Sequence, residues 1–334
     1  MFNDTITFLG CGSWGAALGN VLEKKGLKIR FWHRNYKTVI DMQSKRKHYL
    51  IPDVKFGKGV SFHSEIKEAI VGSKNIVLAI PSQNVREIIS KIKNDLDSSV
   101  CIINIAKGIE SETLKIISEV VYDVTKDISN FVTLSGPSHA EEVMADTPTA
   151  VVSASKNSSA ANYVQKLFST NKLRVYTNSD LIGVEIGGSA KNVIAIAAGF
   201  CDGFGYGDNT KSALMTLGIK ELSRLGLCFG ARKDTFFGLA GVGDLIVTCN
   251  SVHSRNRRLG EKIGNGIGLD DAISRSHMVV EGVKTAYSIK KLSEKFDIEM
   301  PICNAVYNVL YNQADPIREV DILMSRELKS ESFI

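Results

Sequence analysis

The sequence has few cysteines, and their spacing matches neither a redox-active pair nor a metal site. The six cysteines among 334 residues form no CxxC pair and no Cys/His pattern typical of metal sites. Such spacing would be expected in a disulfide framework or a zinc module, so its absence favours free thiols in a reducing compartment. We therefore expect buried cysteines acting as small hydrophobic residues, no bound metal, and a cytoplasmic protein.

Long apolar runs, repeats and targeting features are also missing. No apolar run approaches the roughly 20 residues of a membrane span, and the chain enters its first apolar run, 6–9, without room for a signal peptide. The formal net charge of +5 is spread along the chain, so bulk charge gives no reason to expect nucleic acid. We expect small-molecule partners, with no nucleic acid and no stable membrane insertion.

A glycine motif directly follows the first apolar run and opens an Ala-rich helical stretch. Gly10 would permit a tight turn, Gly12 would let the backbone approach a pyrophosphate, and Gly15 would pack the helix against the strand. The phosphates would then lie at the helix N-terminus. The order of strand, glycine turn and helix predicts a dinucleotide site, although an ordinary glycine-rich turn is the alternative.

The end of the second strand lacks the acidic residue that NAD-preferring sites usually carry. In its place the chain has His33, Arg34 and Asn35. A guanidinium at this position would attract a 2′-phosphate, so we expect NADPH to be used at least as well as NADH. The alternative is a surface arginine without a ligand.

Alternating apolar runs and helical patterns organise the first half of the chain, whereas helical periodicity dominates the second. The first pattern predicts a doubly wound parallel sheet. We expect an α/β protein with a Rossmann-like NAD(P)-binding domain at 1–180 and a mainly α-helical substrate-binding domain at 181–334. The chemistry is expected in the cleft between the two.

Lysine is the residue type with the clearest chemical signal. Lys107 directly follows an apolar strand, where parallel sheets bind ligands, although a solvated loop lysine is about as good a reading. Lys191 has small or apolar neighbours at helical spacing, which predicts a buried ammonium suited to proton transfer near neutral pH. The alternative is a lysine whose tip reaches solvent.

Several polar residues interrupt glycine-rich or apolar sequence and are further candidates. Asp244 could orient a lysine or cap a helix, and the segment 254–258 combines a hydroxyl, an amide and guanidinium groups suited to an anion. Not all three arginines of that segment can point the same way, so we expect Arg257 or Arg258 to be solvated. The turn at 134–140 and Glu281 are either ligand contacts or helix caps.

These motifs together resemble the NAD(P)-dependent glycerol-3-phosphate dehydrogenases, most closely the bacterial form that supplies phospholipid synthesis. The resemblance spans nearly the whole chain and implies reversible reduction of dihydroxyacetone phosphate to sn-glycerol 3-phosphate. The motifs are, in chain order, GCGSWGAALG from Gly10, IAKGIE from Ile105, LSGPSHAEEV from Leu134, GSAKNVIAIAAG from Gly188, GLAGVGDLIVTC from Gly238, SRNRRLG from Ser254 and VVEG from Val279.

The resemblance also implies roles for individual residues. Lys191 would be the catalytic acid/base, with Asn192 and Thr248 nearby. The NAD(P) site would comprise the glycine loop with Ser13, Trp14, Arg34, Lys107, Ala140, Arg255, Val279 and Glu281. The substrate would be surrounded by Lys107, Gly136, Ser138, Lys191, Asp244, Ser254, Arg255 and Asn256, with its phosphate held by the last two.

Two other functions remain open from the sequence. A β-hydroxyacid dehydrogenase would have a similar architecture but a carboxylate substrate, and a non-catalytic NAD(P)-sensing protein would keep only the cofactor site. The oligomeric state is also open: the glycine-rich stretch 183–188 permits a close contact either between domains or between the subunits of a homodimer.

Overall fold

A computed structural model describes residues 5–51, 54–274, 279–328 and 330–331. The chain divides into two compact units. The first comprises Met1–Ala106 and Ile117–Leu181, and the second comprises Lys107–Ile116 and Ile182–Ile334. The expected α/β class, a Rossmann-like sheet domain followed by a helical one, is confirmed.

The first unit is built on an eight-stranded sheet in the order β3-β2-β1-β4-β5-β6-β7-β8. Its central strands are buried on both faces, as parallel strands covered by helices must be. The strands are Ile6–Leu9 (β1), Ile29–Trp32 (β2), Val60–His63 (β3), Asn75–Leu78 (β4), Cys101–Asn104 (β5), Phe131–Ser135 (β6), Thr149–Ala154 (β7) and Leu173–Asn178 (β8).

One strand pair departs from the expected parallel sheet. β7 pairs with β6 in the antiparallel direction, although β8 is again parallel to β7. The connection between β6 and β7 contains a helix of only five residues, Ala140–Met144. A helix of that length is too short for the crossover that returns a chain to the same end of the sheet, so the strand direction reverses.

In the described part of this unit, seven α-helices pack around the sheet. They are Ser13–Lys24 (α1), Tyr36–Lys45 (α2), Ile66–Ile70 (α3), Val85–Ile92 (α4), Ile117–Thr125 (α5), Ala140–Met144 (α6) and Ser158–Phe168 (α7). Phe8 and Phe31 are fully buried between the layers, with ring centroids 5.0 Å apart. The sheet and its helices thereby form one hydrophobic core.

The second unit is helical in its described part. Its α-helices are Leu181–Gly203 (α8), Asp208–Cys228 (α9), Asp244–Asn250 (α10), Arg255–Gly264 (α11), Leu269–Ser274 (α12), Glu281–Phe296 (α13), Pro301–Tyr311 (α14) and Pro316–Met324 (α15). A 3₁₀ turn at Lys233–Phe237 and a π-turn at Leu239–Gly243 lead into α10.

The second unit also includes Lys107–Ile116, which precedes the expected boundary at 180. Ile109 and Ile116 are buried in the hydrophobic core of the helical unit, and the Ser288 hydroxyl donates a 3.3 Å hydrogen bond to the carbonyl of Ile109. Packing against helices distant in sequence cannot be read from a local pattern, so the boundary expectation did not include this segment.

α8 has the length and composition of a membrane span, contrary to the expectation of no such run. It contains 23 residues with a mean hydropathy of 1.4 over its most apolar window. The sequence reading missed it because Glu185, Lys191 and several glycines interrupt the apolar residues. Since 94% of the window is buried inside the protein, α8 is placed as a core helix.

Candidate active site

Lys191 is buried in the middle of α8, with 5% of its surface exposed. Its ammonium donates hydrogen bonds to Asp244 Oδ1 and to Thr248 Oγ1, both at 2.5 Å. Thr248 lies one turn after Asp244 on α10, and its hydroxyl donates to the Asp244 carbonyl at 2.6 Å. The two partners fix the position of the ammonium and leave its third N–H for a ligand, so far as the described contacts show.

Asp244 is the centre of the cluster. It is 1% exposed, and its second carboxylate oxygen accepts a 2.7 Å hydrogen bond from Lys107 Nζ. One carboxylate thus holds two ammonium groups, with Lys107 the more accessible of the two. The cluster of Lys107, Lys191, Asp244 and Thr248, which we call the lysine–aspartate cluster, lies wholly within the second unit.

Glycines permit this close approach. A Cβ at Gly187 on α8 would lie 2.6 Å from the carbonyl oxygen of Ala240, in the π-turn that precedes Asp244. A Cβ at Gly241 would overlap the backbone of Phe236. A larger residue at Gly187 would push the π-turn away from α8 and separate Asp244 from Lys191, and one at Gly241 would push the π-turn away from the preceding 3₁₀ turn.

Burial and charge shift the pKa values of the cluster. Burial lowers the pKa of Lys191 to about 8, with a further decrease from Lys107, while Asp244 opposes the change. For Asp244, burial works against ionisation, but the Lys107 and Lys191 ammonium groups outweigh it and hold its pKa below the usual range. An ammonium with a pKa near 8 can both donate and regain a proton close to neutral pH.

An amide chain connects the helix of Lys191 to the segment that carries Arg255. The Asn256 side chain donates to Asn192 Oδ1 at 2.9 Å, and its own Oδ1 accepts from the Gly282 backbone N–H at 3.0 Å. Asn192 in turn donates to the Lys107 carbonyl at 3.5 Å. These bonds place Asn256 beside Asn192, the residue next to Lys191 on α8.

The anion segment 254–258 forms the start of α11. Ser254 Oγ accepts from the Arg257 N–H at 3.2 Å and so caps the helix, and Arg255 donates to the carbonyl of Val279 at 3.0 Å. Arg258 is exposed, in agreement with the expectation that either Arg257 or Arg258 is solvated. Arg257 is only 13% exposed and forms an ion pair with Asp202, because α8 passes directly beneath it.

The glycine motif of the first unit has the geometry of a pyrophosphate cradle. Gly10 has a φ of +104°, and a Cβ there would overlap the backbone of Ala79. At Gly12, the N-cap of α1, the nearest such contact is 3.9 Å away, and no described side chain caps the helix. The buried Trp14 Nε1 also has no hydrogen-bond partner among the described residues. An anionic dinucleotide fits these open donors.

His48 supports this turn and was missed by the sequence reading. Its Nδ1 accepts from the backbone N–H groups of Leu50 and Ile51, both at 3.1 Å, so Nε2 carries the proton that it donates to the Cys11 carbonyl at 2.9 Å. Burial lowers its pKa. No sequence signal marks His48, because it reaches the motif from 37 residues away.

The other candidates are divided between the units. The first unit carries Arg34, exposed directly after β2, and the turn after β6. In that turn Gly136 has a φ of +133°, Ser138 Oγ donates to the Gly136 carbonyl at 2.8 Å, and Ala140 begins α6. Glu281 begins α13 in the second unit. In the described ranges, no three His, Cys, Asp or Glu side chains are grouped to hold a metal.

The cysteines are free, as expected. Five are buried and Cys228 is half-buried. Burial raises the pKa of Cys101 and Cys249 to about 12 and that of Cys201 to about 11. These thiols are protonated at neutral pH and are not nucleophiles.

Comparison with known proteins identifies the family. Residues 5–161 match the model described as NAD-dependent glycerol-3-phosphate dehydrogenase N-terminus, and residues 180–321 match the C-terminus model. A glycerol-3-phosphate dehydrogenase (NAD(P)+) from Clostridium tetani is 48% identical, covering 98% of this chain and 93% of its own. One from Clostridium acetobutylicum is also 48% identical, covering 98% and 99%.

A solved structure agrees with these matches. The crystal structure of glycerol-3-phosphate dehydrogenase from Coxiella burnetii has a TM-score of 0.95 and 36% sequence identity, covering 98% of this chain and all of that one. These relatives favour the expected function over a β-hydroxyacid dehydrogenase or a sensing protein. The chain belongs to the NAD(P)-dependent glycerol-3-phosphate dehydrogenase family.

Proposed function

We propose that the chain reduces dihydroxyacetone phosphate to sn-glycerol 3-phosphate, and catalyses the reverse reaction, with Lys191 as the proton donor and acceptor. The observation that carries this assignment is the lysine–aspartate cluster, in which a buried ammonium with a pKa near 8 is held by a carboxylate. NAD(P)H, when bound, supplies the hydride for the reduction.

The cofactor would be held by the glycine motif together with further residues proposed from the family resemblance. Gly12 would bring the backbone to the pyrophosphate, while Gly10 permits the turn and Gly15 the close packing of α1. Ser13 and Trp14 are the first two residues of α1, whose N-terminal N–H groups no described side chain caps. Arg34 would meet a 2′-phosphate. The remaining proposed contacts are Lys107, Ala140, Arg255, Val279 and Glu281.

The substrate phosphate would be held at the N-terminus of α11. Arg255 carries a permanent positive charge there. The Asn256 amide has two N–H groups, and its bond to Asn192 uses only one of them. Gly136, Ser138 and Ser254 are proposed as further contacts. Anchoring the phosphate would orient the ketone relative to Lys191, which lowers the entropic part of the barrier.

The proton step would use the charges of the lysine–aspartate cluster. As negative charge grows on the substrate carbonyl oxygen, Lys191 would stabilise it and donate its proton, and Lys107 would add a second positive charge. Asp244 would keep both ammonium groups in position. In the reverse direction neutral Lys191 would accept the proton from the alcohol.

The compartment and assembly belong to the same proposal. The free cysteines support a reducing, cytoplasmic environment, and production of sn-glycerol 3-phosphate would serve phospholipid synthesis. A homodimer is the assembly we propose. Gel filtration with light scattering measures the assembly directly.

The function is tested by following NADPH and NADH oxidation with dihydroxyacetone phosphate, and with β-ketoacids in parallel. We expect turnover with the phosphorylated ketone and none with the ketoacids. Arg255→Ala should mainly raise KM, with Arg258→Ala as the matched control. Turnover of ketoacids alone, or of neither substrate, would exclude the proposed function.

A further inference from the structure

α8 and α11 touch backbone to backbone through glycines. A Cβ at Gly199 would overlap the Arg257 carbonyl, and one at Gly260 would overlap the Ile196 carbonyl. One turn further along, a Cβ at Gly203 would lie 2.7 Å from the Glu261 carbonyl oxygen. The contact brings the two helices as close as their backbones allow, but glycines offer no side chains that would prevent sliding along the axis.

A half-buried ion pair lies beside this glycine contact. Arg257 Nε is 2.5 Å from Asp202 Oδ2, and Lys211 Nζ donates to Asp202 Oδ1 at 2.8 Å. The three side chains are 13%, 15% and 14% exposed in the order Arg257, Asp202, Lys211. Within the described residues the arginine contact is an ion pair and not a hydrogen bond. Glu261 lies 3.5 Å from the same guanidinium.

The ion pair is linked to the active site through both helices. Lys191 and Asp202 are 11 residues apart on α8, a rotation within about 20° of three full turns, so they lie on one face about 16 Å apart. On α11, Arg257 follows Arg255 and Asn256 directly. On α8, Asn192 and Asp202 lie on either side of Ile196 and Gly199, whereas their partners, Asn256 and Arg257, are neighbours at the start of α11.

We propose that Asp202 and Arg257 are positioning residues that set the register of α11 on α8, and with it the distance from the phosphate-binding Arg255 to the Lys191 ammonium. This role rests on the proposed function, in which one substrate molecule is held at both points. A substrate without a phosphate does not use α11 and should be insensitive to the register.

The test compares dihydroxyacetone phosphate with dihydroxyacetone, which lacks the phosphate. For Arg257→Leu we expect KM for the phosphorylated substrate to rise by about 10- to 100-fold. The kcat/KM for dihydroxyacetone should stay within about twofold of wild type, and activation of that reaction by added phosphite should be lost. Arg258→Leu removes the same charge from an exposed position and should change neither.

Two milder variants cover the case in which Arg257→Leu does not fold. Asp202→Asn keeps the shape of the side chain and should raise KM in the same selective way, while Arg257→Lys should restore part of the loss. Equal losses with both substrates, or no loss in Asp202→Asn, would overturn the positioning role while wild-type turnover leaves the proposed function standing. A wild type that does not reduce dihydroxyacetone phosphate would overturn both.

Discussion

The Lys191 ammonium lies 2.5 Å from Asp244 Oδ1 in a buried position, and Lys107 is bound to the other oxygen of the same carboxylate. Two positive charges and one negative charge give the cluster a net positive charge where the substrate oxygen becomes negative in the proposed reaction. In the same arrangement the pKa of Lys191 is about 8, close enough to neutral pH for proton transfer.

Replacing Lys191 with Ala should remove the proton donor while leaving the glycine motif of the other unit unchanged. A positioned acid is typically worth ~10²–10⁴ in rate, so we expect at least that loss in kcat. NADPH affinity, measured by fluorescence titration, should remain near the wild-type value. The assignment fails if turnover of the variant is close to normal.

The pH dependence of turnover should follow Lys191 and respond to Asp244. Ketone reduction needs the protonated lysine, so kcat should fall as pH rises through about 8. Asp244→Asn removes the charge that raises this pKa while Lys107 still lowers it, so the decline should move to lower pH. Thr248→Ser keeps the hydroxyl and serves as control. A decline at the same or higher pH in Asp244→Asn would refute the electrostatic role.

Local pattern was enough to predict most elements that set up the fold. The strand Ile6–Leu9 begins and ends with the apolar run 6–9. β3, Val60–His63, was missed because four residues with two half-buried side chains are too short for a clear alternation.

The residue types of the site were predictable, but their partners were not. Lys191 was expected to be buried from its small neighbours, yet its contacts lie 53 and 57 residues away at Asp244 and Thr248. Either Arg257 or Arg258 was expected to be solvated, and the local sequence does not distinguish them; the contact of α8 with Arg257 creates its ion pair with Asp202. Contacts between distant segments depend on tertiary packing, which a single sequence does not encode locally.

Arg34 should determine the preference between the two cofactors. It is exposed directly after β2, where it can meet a 2′-phosphate. A charge-assisted hydrogen bond is worth about 1.5–3 kcal/mol, so Arg34→Leu should weaken NADPH binding by about 10- to 100-fold and leave NADH binding nearly unchanged. Isothermal titration with both cofactors measures this, with the exposed Lys37→Leu as control. Equal weakening for both cofactors would argue against phosphate recognition.

His48 should couple NADPH binding to pH. Because Nδ1 accepts two backbone N–H bonds, a proton there would oppose both donors and loosen the turn at Cys11. Burial lowers the His48 pKa, so this support is complete above the ordinary value of 6.5 and is lost as pH falls through the lowered one. In the wild type, NADPH affinity should therefore fall over the same decrease in pH. His48→Gln should bind more weakly at neutral pH and lose this dependence, whereas the exposed His253→Gln should retain it.

Glu221 should make folding stability depend on pH independently of catalysis. This buried residue of α9 accepts the N–H groups of Ile302 and Cys303, at 2.7 and 3.1 Å, at the start of α14. Burial raises its pKa from 4.5 to about 7, so its favourable contribution is complete below about 4.5 and is lost as pH rises through about 7.

The shift of the Glu221 pKa corresponds to about 3 kcal/mol of unfolding free energy. In urea unfolding from pH 4.5 to 8.5, wild type should lose stability by up to that amount relative to Glu221→Gln, whose amide does not ionise. Glu327→Gln, at an exposed position, should keep the wild-type slope. Parallel curves for wild type and Glu221→Gln would show that Glu221 is ionised throughout, and that the N–H groups of α14 stabilise its charge more than burial opposes it.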